Sequence, residues 1–215
     1  MRVFDLSHTL ETGMPVYPGT EEAMLVRTAD LESSGFNETA LRISSHTGTH
    51  IDCAKHFIND GFSTESCPPE TFYGKGLKID CLEPGLKRIT VAHLHPYRSK
   101  LSHVDFVIFH TGWSRFWQKA RYFSDFPVPD LDTAQLLTTF RLKGAGTDTI
   151  SFDAAGSTAF EVHKILLSKG IVLIENLTGL ENLPDEPFIF SCFPLKIRDG
   201  DGSPVRAVGI VKSEE

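Results

Sequence analysis

Three histidines and one aspartate occupy even-numbered positions in the segment SSHTGTHIDCAKHF, residues 44–57. In an extended strand His46, His50 and Asp52 would share a face, because side chains two residues apart point the same way. Gly48 would leave a space between the two imidazoles, into which an ion or a substrate would fit. A helix would also bring the two histidines together, but glycine and β-branched residues make a helix unfavourable there.

Two imidazoles and a carboxylate that converge on one point form a ligand set for Zn²⁺ or Mn²⁺. A histidine pair alone is weak evidence, since such histidines are more often hydrogen-bonded bystanders. Asp52 on the same face and His56 four residues further on strengthen the prediction of a metal site. Asp52 could also bridge two ions, because a carboxylate has two oxygens.

Further ligands must come from elsewhere, and two candidates lie near the other end of the chain. His163 falls within a helix predicted over 158–169, beside apolar residues that place it near a buried face. Glu175 ends an apolar strand predicted at 171–175, where a carboxylate must find a partner or shift its pKa. Taken singly, each residue is more simply explained by ordinary hydrogen bonds or ion pairs. Asp153 is interpreted as a turn former in preference to a hydrogen-bond acceptor beside the site.

Length and charge narrow the class of protein. The chain has 215 residues and a formal net charge of -7, so we expect a single domain, 1–215, with no nucleic-acid partner. No apolar run is long enough to span a bilayer, and the N-terminal segment lacks the pattern of a signal peptide. We therefore expect a cytoplasmic protein without a membrane partner. The four cysteines form no CxxC pair and fit reduced thiols.

Strand patterns dominate the first half of the sequence, and helices alternate with strands in the second. We expect an α/β fold in which a mixed β core packs against a few flanking helices. Thr158 and Glu161 have the spacing of a capping box, and Gly170 stands where a helix C-terminal cap belongs. Strands are predicted at 21–31, 38–52, 76–81, 104–111, 147–153 and 171–175, and helices at 115–123, 132–142 and 158–169.

The segment HTGTHIDCAKHF, His46–Phe57, resembles the HxGTHxDxPxHF signature of the cyclase family of metal-dependent hydrolases. That family includes bacterial kynurenine formamidases and isatin hydrolases. Residues 5–19, 110–113 and 161–184 resemble three further blocks of the family, in the same order along the chain. The resemblance implies a swivelling β/β/α domain that assembles as a homodimer or homotetramer.

The resemblance also implies a ligand set for one or two ions of Zn²⁺ or for Mn²⁺. The first ion would be held by three residues of the signature and the second by the aspartate and two residues of the later block, with the two carboxylates shared. The residues so implied are His46, His50 and Asp52 for the first ion, and Asp52, His163 and Glu175 for the second.

His56 is implied as the residue that accepts and donates protons during catalysis. Ala54 stands where the signature has proline, which would stiffen the turn that directs His56. Tyr17 is implied to line the substrate pocket, at a position where the formamidases resemble each other in having tryptophan. The wall suited to a flat aromatic group would consist of Tyr17, Phe57 and either Phe62 or Trp113.

The implied metal ligands, the proton-transferring histidine and the aromatic wall together predict a hydrolase that cleaves an amide, formamide or lactam C–N bond of a small aromatic substrate. A bound ion lowers the pKa of water toward about 7, and an imidazole transfers protons near neutral pH. Two alternatives stay open. The protein could be a non-catalytic family member that binds a metal or a small aromatic acid. The replacement of the signature proline by Ala54 is the reason to retain this alternative. The histidines could instead be structural, with no metal.

Overall fold

The computed structural model describes residues 1–212, which form thirteen β-strands. The strands are β1 (Arg2–Asp5), β2 (Met24–Ala29), β3 (Glu38–Arg42), β4 (His50–Asp52), β5 (Tyr73–Asp80), β6 (Arg88–Ile89), β7 (Phe106–His110), β8 (Val128–Pro129), β9 (Gly144–Thr147), β10 (Val172–Glu175), β11 (Phe188–Ser191), β12 (Gly202–Pro204) and β13 (Val208–Val211).

The helices of the same range are short. The α-helices are α1 (Leu31–Ser34), α2 (Val91–Leu94), α3 (Arg98–Leu101), α4 (Leu131–Leu137) and α5 (Glu161–Leu167). The 3₁₀ turns are Ala54–His56, Pro69–Phe72, His95–Tyr97, Trp113–Phe116, Ala120–Phe123 and Leu180–Asn182. No helix within residues 1–212 has both the length and the apolar character needed to cross a membrane.

Nine strands form one mixed sheet in the order β1-β13-β11-β5-β7-β9-β10-β4-β12. The central strands β5, β7, β9 and β10 run parallel, and the strands on both flanks pair antiparallel. β2 and β3, which lie within the strands predicted at 21–31 and 38–52, form a separate antiparallel hairpin. The predicted mixed β core with flanking helices is therefore present.

The sheet is buried on both faces at its centre. Val107 and Phe109 of β7 pack in a cluster with apolar residues of α4 and α5. Phe106 and Ile108, which alternate with them, belong to a second cluster on the opposite face. All four side chains are 0% exposed. Strands covered on both faces read as continuous apolar runs, which is why β7 and β10 are recognisable in the sequence.

Two predicted elements differ from the structure. The strand expected at 147–153 lies earlier, at Gly144–Thr147. Its glycines lower the strand propensity of the segment, but bulky neighbours leave room only for small residues there. A Cβ at Gly144 would lie 2.8 Å from the ring of Phe106. The helix expected over 115–123 is instead two 3₁₀ turns, Trp113–Phe116 and Ala120–Phe123, separated by Gln118 at φ 63. A left-handed residue breaks the helical hydrogen-bond pattern.

Helix α5 is present but starts later than predicted. Its N-cap is Phe160 in the left-handed region, and Thr158 lies outside the helix. The expected capping box is therefore wrong. Asp153 accepts instead from the backbone N–H of Val162 and of His163, at 3.2 and 3.1 Å. At the other end the C-cap is Ser168, directly after Leu167, and the predicted cap residue Gly170 lies two residues further on with φ 78.

We expect Ile108→Ala to lower the free energy of unfolding by about 3 kcal/mol, because a fully buried side chain is lost from a central strand and leaves a cavity. Val26→Ala on the hairpin, where the side chain is 50% exposed, should change stability by less than about 0.5 kcal/mol. Urea denaturation followed by circular dichroism measures both. Equal effects of the two substitutions would contradict the assignment of the core.

Candidate metal and active site

The histidine-rich segment is only partly a strand. β4 covers His50–Asp52, whereas residues 45–49 form turns and bends, with Gly48 at φ 65. The extended conformation predicted over 46–49 is therefore wrong. The predicted space beside Gly48 is also filled, because a Cβ there would lie 2.8 Å from Cε of Met14. The turn nevertheless brings His46 to His50, with ring centroids 5.1 Å apart.

Sheet pairing brings the two ends of the chain together at this segment. β4 pairs with β10 so that His50 lies opposite Glu175, and Nε2 of His50 is 3.5 Å from Glu175 Oε2. Helix α5 precedes β10 and places His163 Nε2 at 3.0 Å from Glu175 Oε1 and 3.6 Å from Asp52 Oδ2. His50 Nε2 lies 3.3 Å from Asp52 Oδ1. All four side chains are buried, so the sequence-predicted residues form one cluster.

Two of the imidazoles are held with Nε2 toward the carboxylates. Nδ1 of His50 donates to the carbonyl oxygen of Gly48 at 2.8 Å, since a carbonyl can only accept. Nδ1 of His163 is 2.6 Å from Asp153 Oδ2. Such outer partners fix the orientation of histidine ligands in metal sites. Asp153 is therefore a hydrogen-bond acceptor beside the cluster, and its interpretation as a turn former is wrong.

His46 is bonded at both ring nitrogens. Its Nδ1 lies 2.7 Å from Asp52 Oδ1, and its Nε2 lies 2.9 Å from Asp201 Oδ2. The same oxygen of Asp201 is 3.5 Å from Nδ1 of His56, and the two imidazoles stack with centroids 3.9 Å apart. Sequence reasoning missed Asp201, because its segment, RDGDGS, reads as a polar turn with no ligand spacing.

The turn that carries His56 forms without the signature proline. Ala54–His56 is a 3₁₀ turn that begins directly after Cys53, and the backbone N–H of His56 donates to the carbonyl of Cys53 at 3.0 Å. Cys53 in turn donates its N–H to the carbonyl of Asp201 at 2.8 Å. The backbone thus places His56 and Asp201 side by side at the edge of the cluster.

The charges of the cluster favour bound cations. Burial alone would lower the pKa of His50, but its hydrogen bonds to Asp52 and Glu175 and their charges raise that pKa to about 10. Against the same effect of burial, Asp153 and Glu175 raise the pKa of His163 to about 10. Burial opposes ionisation of Asp52, yet His46 and His50 hold its pKa well below the usual range. Protons thus fill a place that a divalent cation would take, because metal binding displaces protons from its ligands.

Within residues 1–212, two groups of side chains have donor atoms close enough to hold a metal ion. The donor atoms of each group lie within 4.8 Å of one another, and Asp52 belongs to both. Imidazole nitrogens with carboxylate oxygens suit zinc and similar divalent ions, so the residues fit a metal. The groups are His50, Asp52 and Glu175, and His46, Asp52 and His56.

A cavity of about 320 Å³ opens beside the cluster. Tyr17 and Phe57 line it, as predicted. Phe62 and Trp113 do not: Phe62 packs against the sheet clusters, and the Trp113 indole N–H donates to the carbonyl of Tyr122 in a separate core. The rest of the apolar wall consists of Val16, Ile150 and Phe160.

Comparison with known proteins agrees with this fold. The Cyclase family model, described as "Putative cyclase", matches residues 4–154. The chain is 32% identical to the kynurenine formamidase of Erythrobacter litoralis over 209 residues, which cover 96% of this chain and 93% of that protein.

Solved structures with the same fold include isatin hydrolase A from Labrenzia aggregata bound to benzyl benzoate. It has a TM-score of 0.87 and 25% identity, with 99% of this chain and 94% of that chain covered. A structure described as a potential metal-dependent hydrolase with cyclase activity has a TM-score of 0.77 and 27% identity, covering 97% and 96%. The molecule is therefore an α/β domain with a buried cluster able to bind a metal. It belongs to the cyclase family, and the predicted fold class is confirmed.

We expect Asp153→Asn to weaken zinc binding by about 10- to 100-fold, because outer partners of ligating histidines tune metal affinity to that extent. Isothermal titration of metal-free protein with Zn²⁺ measures the change. Asp125→Asn is the matched control, since that carboxylate pairs with Lys87 at the surface. Equal affinities of the two variants would show that Asp153 does not orient a ligand.

Proposed function

We propose that the protein is a metal-dependent hydrolase that cleaves the amide, formamide or lactam C–N bond of a small aromatic substrate. The observation that carries this proposal is the convergence of imidazoles and carboxylates beside a cavity that is also lined by apolar and aromatic side chains, among them Tyr17, Phe57 and Phe160. Membership of the cyclase family, with a formamidase and an isatin hydrolase among the similar proteins, supports it.

The metal ligands we propose are the four residues of the cluster, His50, Asp52, His163 and Glu175, together with His46. His50 and His163 would ligate through Nε2, because their Nδ1 atoms are already hydrogen-bonded. His46 would have to give up one of its two hydrogen bonds to join them. Asp52 belongs to both groups of donors, which favours a shared carboxylate where two ions bind. The ion, Zn²⁺ or Mn²⁺, would act as a Lewis acid and lower the pKa of water.

His56 is the residue we propose for proton transfer. It lines the cavity, and within residues 1–212 its Nε2 has no hydrogen-bond partner, whereas its Nδ1 faces Asp201. Asp201 would hold the imidazole in one orientation. In the reaction the water oxygen bonds to the carbonyl carbon and the C–N bond breaks. His56 takes a proton from the water and passes it to the leaving nitrogen.

The aromatic wall would bind the ring of the substrate. Tyr17 and Phe57 present apolar surface to the cavity, and the ring of Phe57 lies 4.2 Å from that of His56. A substrate ring packed on this wall would set its carbonyl group beside the imidazole cluster and keep bulk water from the reacting bond.

His56→Ala should lower kcat on formanilide by about 10²- to 10⁴-fold, which is the usual contribution of a general acid–base. Metal content, measured by mass spectrometry of the digested protein, should stay unchanged. His103→Ala is the control, since that imidazole is exposed and bonded to Ser99. Loss of metal in the His56 variant would make His56 a ligand, and normal turnover would remove it from the mechanism.

Removal of metal by a chelator should abolish turnover of formanilide, and added Zn²⁺ or Mn²⁺ should restore it. The ion that restores the higher rate at equal occupancy identifies the working metal. Full activity of metal-free protein would contradict the proposal. A metal-loaded protein that hydrolyses none of a panel of formanilides, lactams and carbamates, but is thermally stabilised by an aromatic acid, would favour the non-catalytic alternative.

A further inference from the structure

We propose that Tyr122 and Asn176 are positioning residues for the metal ligand His50. A chain of buried hydrogen bonds joins them to its imidazole through the backbone carbonyl of Gly48. The inference rests on the proposed function and deepens it, because it names the residues that set how one ligand faces the cation. It depends on the hydrogen bonds of the chain, the burial of its members and the backbone conformation of Asn176.

The chain begins at the hydroxyl of Tyr122 and ends at the imidazole of His50. The Tyr122 hydroxyl donates to Oδ1 of Asn176 at 2.7 Å. Nδ2 of Asn176 donates to the carbonyl oxygen of Gly48 at 2.9 Å. The same oxygen accepts from Nδ1 of His50 at 2.8 Å. A carbonyl oxygen has two lone pairs, so it can accept both hydrogen bonds at once.

The direction of each hydrogen bond in the chain follows from the Gly48 carbonyl. Because a carbonyl oxygen only accepts, the Asn176 amide must face it with Nδ2, which leaves Oδ1 toward Tyr122. Oδ1 also only accepts, so the Tyr122 hydroxyl must donate. A reversed amide would place Oδ1 against the Gly48 oxygen in a buried site, which is unfavourable. The chain therefore favours one orientation of the amide and of the imidazole that shares its carbonyl.

The three side chains of the chain are buried. Tyr122 is 0% exposed, and Asn176 and His50 are each 3% exposed. Burial raises the pKa of Tyr122 well above its ordinary value, so the hydroxyl keeps the proton that it donates. A buried acceptor that loses its donor bears the cost of desolvation. Removal of the tyrosine hydroxyl would therefore leave Oδ1 of Asn176 unsatisfied and weaken the preference for the observed amide orientation.

The backbone of Asn176 holds the same segment as its side chain. Asn176 directly follows the ligand Glu175 and has φ 57, in the left-handed region that asparagine tolerates better than most residues. Its N–H donates to the carbonyl of Thr149 at 2.9 Å, and its carbonyl accepts from the hydroxyl of Thr49 at 2.6 Å. A residue that only turned the chain would need no more than this backbone conformation. The amide that bonds at both ends gives Asn176 its link to His50.

The orientation of His50 matters because its Nε2 faces both carboxylates of the cluster. Nε2 lies 3.3 Å from Asp52 Oδ1 and 3.5 Å from Glu175 Oε2. Rotation of the imidazole about its bond to Cβ would carry Nε2 away from both oxygens and break the hydrogen bond to Gly48. Partners that prevent such rotation commonly account for about 10- to 100-fold in metal affinity.

Tyr122→Phe tests the chain with a small change in shape, because it removes one hydroxyl and keeps the ring. We expect it to weaken binding of Zn²⁺ by metal-free protein about 3- to 10-fold, less than loss of a direct partner, since the hydroxyl acts through Asn176. Isothermal titration measures the change. Tyr97→Phe is the matched control, because that hydroxyl accepts from the N–H of Asp80. Equal affinities of the two variants would overturn the inference.

Asn176→Gly deletes the amide and keeps a residue that accepts the left-handed backbone. Zinc binding should weaken about 10- to 100-fold, because the Gly48 carbonyl then loses the donor that holds it. Asn182→Gly is the matched control, since that exposed amide also donates to a glycine carbonyl, at Gly179. Ile108→Ala, which lowers stability without touching the chain, should leave zinc affinity unchanged. An affinity that falls as far in Ile108→Ala as in Asn176→Gly would overturn the inference.

The ring proton on Nδ1 of His50 gives a readout that needs neither metal nor turnover. Its exchange with solvent is followed in metal-free protein by ¹⁵N-edited NMR. Tyr122→Phe and Asn176→Gly should each speed this exchange at least about tenfold, because opening of a hydrogen bond limits exchange at a buried site. Exchange as slow in both variants as in the two matched controls would overturn the inference.

Turnover separates failure of the inference from failure of the proposed function. At limiting Zn²⁺, Tyr122→Phe should hydrolyse formanilide more slowly than the unaltered protein, and excess Zn²⁺ should restore kcat with KM unchanged. A kcat that stays low in excess Zn²⁺ would overturn the positioning role. Zinc affinity that depends on Tyr122, without hydrolysis of any amide, would defeat the proposed function and leave the inference standing. Hydrolysis with zinc affinity and ring exchange unaffected by both substitutions would do the reverse.

Discussion

Two buried carboxylates, Asp52 and Glu175, impose the constraint around which the site is organised. Burial and the nearby charge of Asp52 oppose ionisation of Glu175, but hydrogen bonds from His163 and His50 outweigh them and lower its pKa. Two negative groups so close together in a dry interior need positive charge between them. The surrounding imidazoles supply that charge as bound protons, and a divalent cation would supply it with stronger and more directional bonds.

This constraint explains why the site lies where parallel and antiparallel strands meet. β10 runs parallel to β9 on one side and antiparallel to β4 on the other, so its carboxyl end, Glu175, lies beside His50. His163 lies on the helix before β10, and His56 lies on the turn after β4. The apolar body of the sheet holds these ends rigidly, because its central strands are buried on both faces. Ligand positions set by strands and a helix are held more precisely than positions set by loops alone.

The sequence predicts the parts of the site whose signal is local or is carried by a family resemblance. Spacing within the segment around His50 indicates a metal site, and the apolar run that ends at Glu175 indicates a buried carboxylate. Strand periodicity alone is misleading at His46, where Gly48 turns the chain, although the side chains still converge. What spacing cannot show is which distant residue completes the hydrogen bonds. The hydrogen bond that Asp153 makes to His163, and the presence of Asp201 beside the site, are therefore visible only in the folded chain.

Contacts between distant residues also limit how much of the fold the sequence predicts. Apolar strands such as β7 and β10 are evident because burial on both faces leaves a continuous hydrophobic run. β9 is not, because Gly144 and Gly146 lower strand propensity while close packing against Phe106 and Leu177 requires small residues there. The helix begins after Phe160, not at the cap predicted at Thr158. Its first backbone N–H groups donate to Asp153, which is distant in sequence from a local cap position. Tertiary contacts override local propensity at these positions.

The central claim is that a divalent cation holds the buried imidazoles and carboxylates together. An anomalous difference map, collected at the zinc or manganese absorption edge on crystals grown with that ion supplied, tests it most directly. We expect a peak bonded to Nε2 of His50 and His163 and to oxygens of Asp52 and Glu175, at about 2.0–2.2 Å for zinc. A map without a peak there, with the four side chains bonded only to one another, would contradict it.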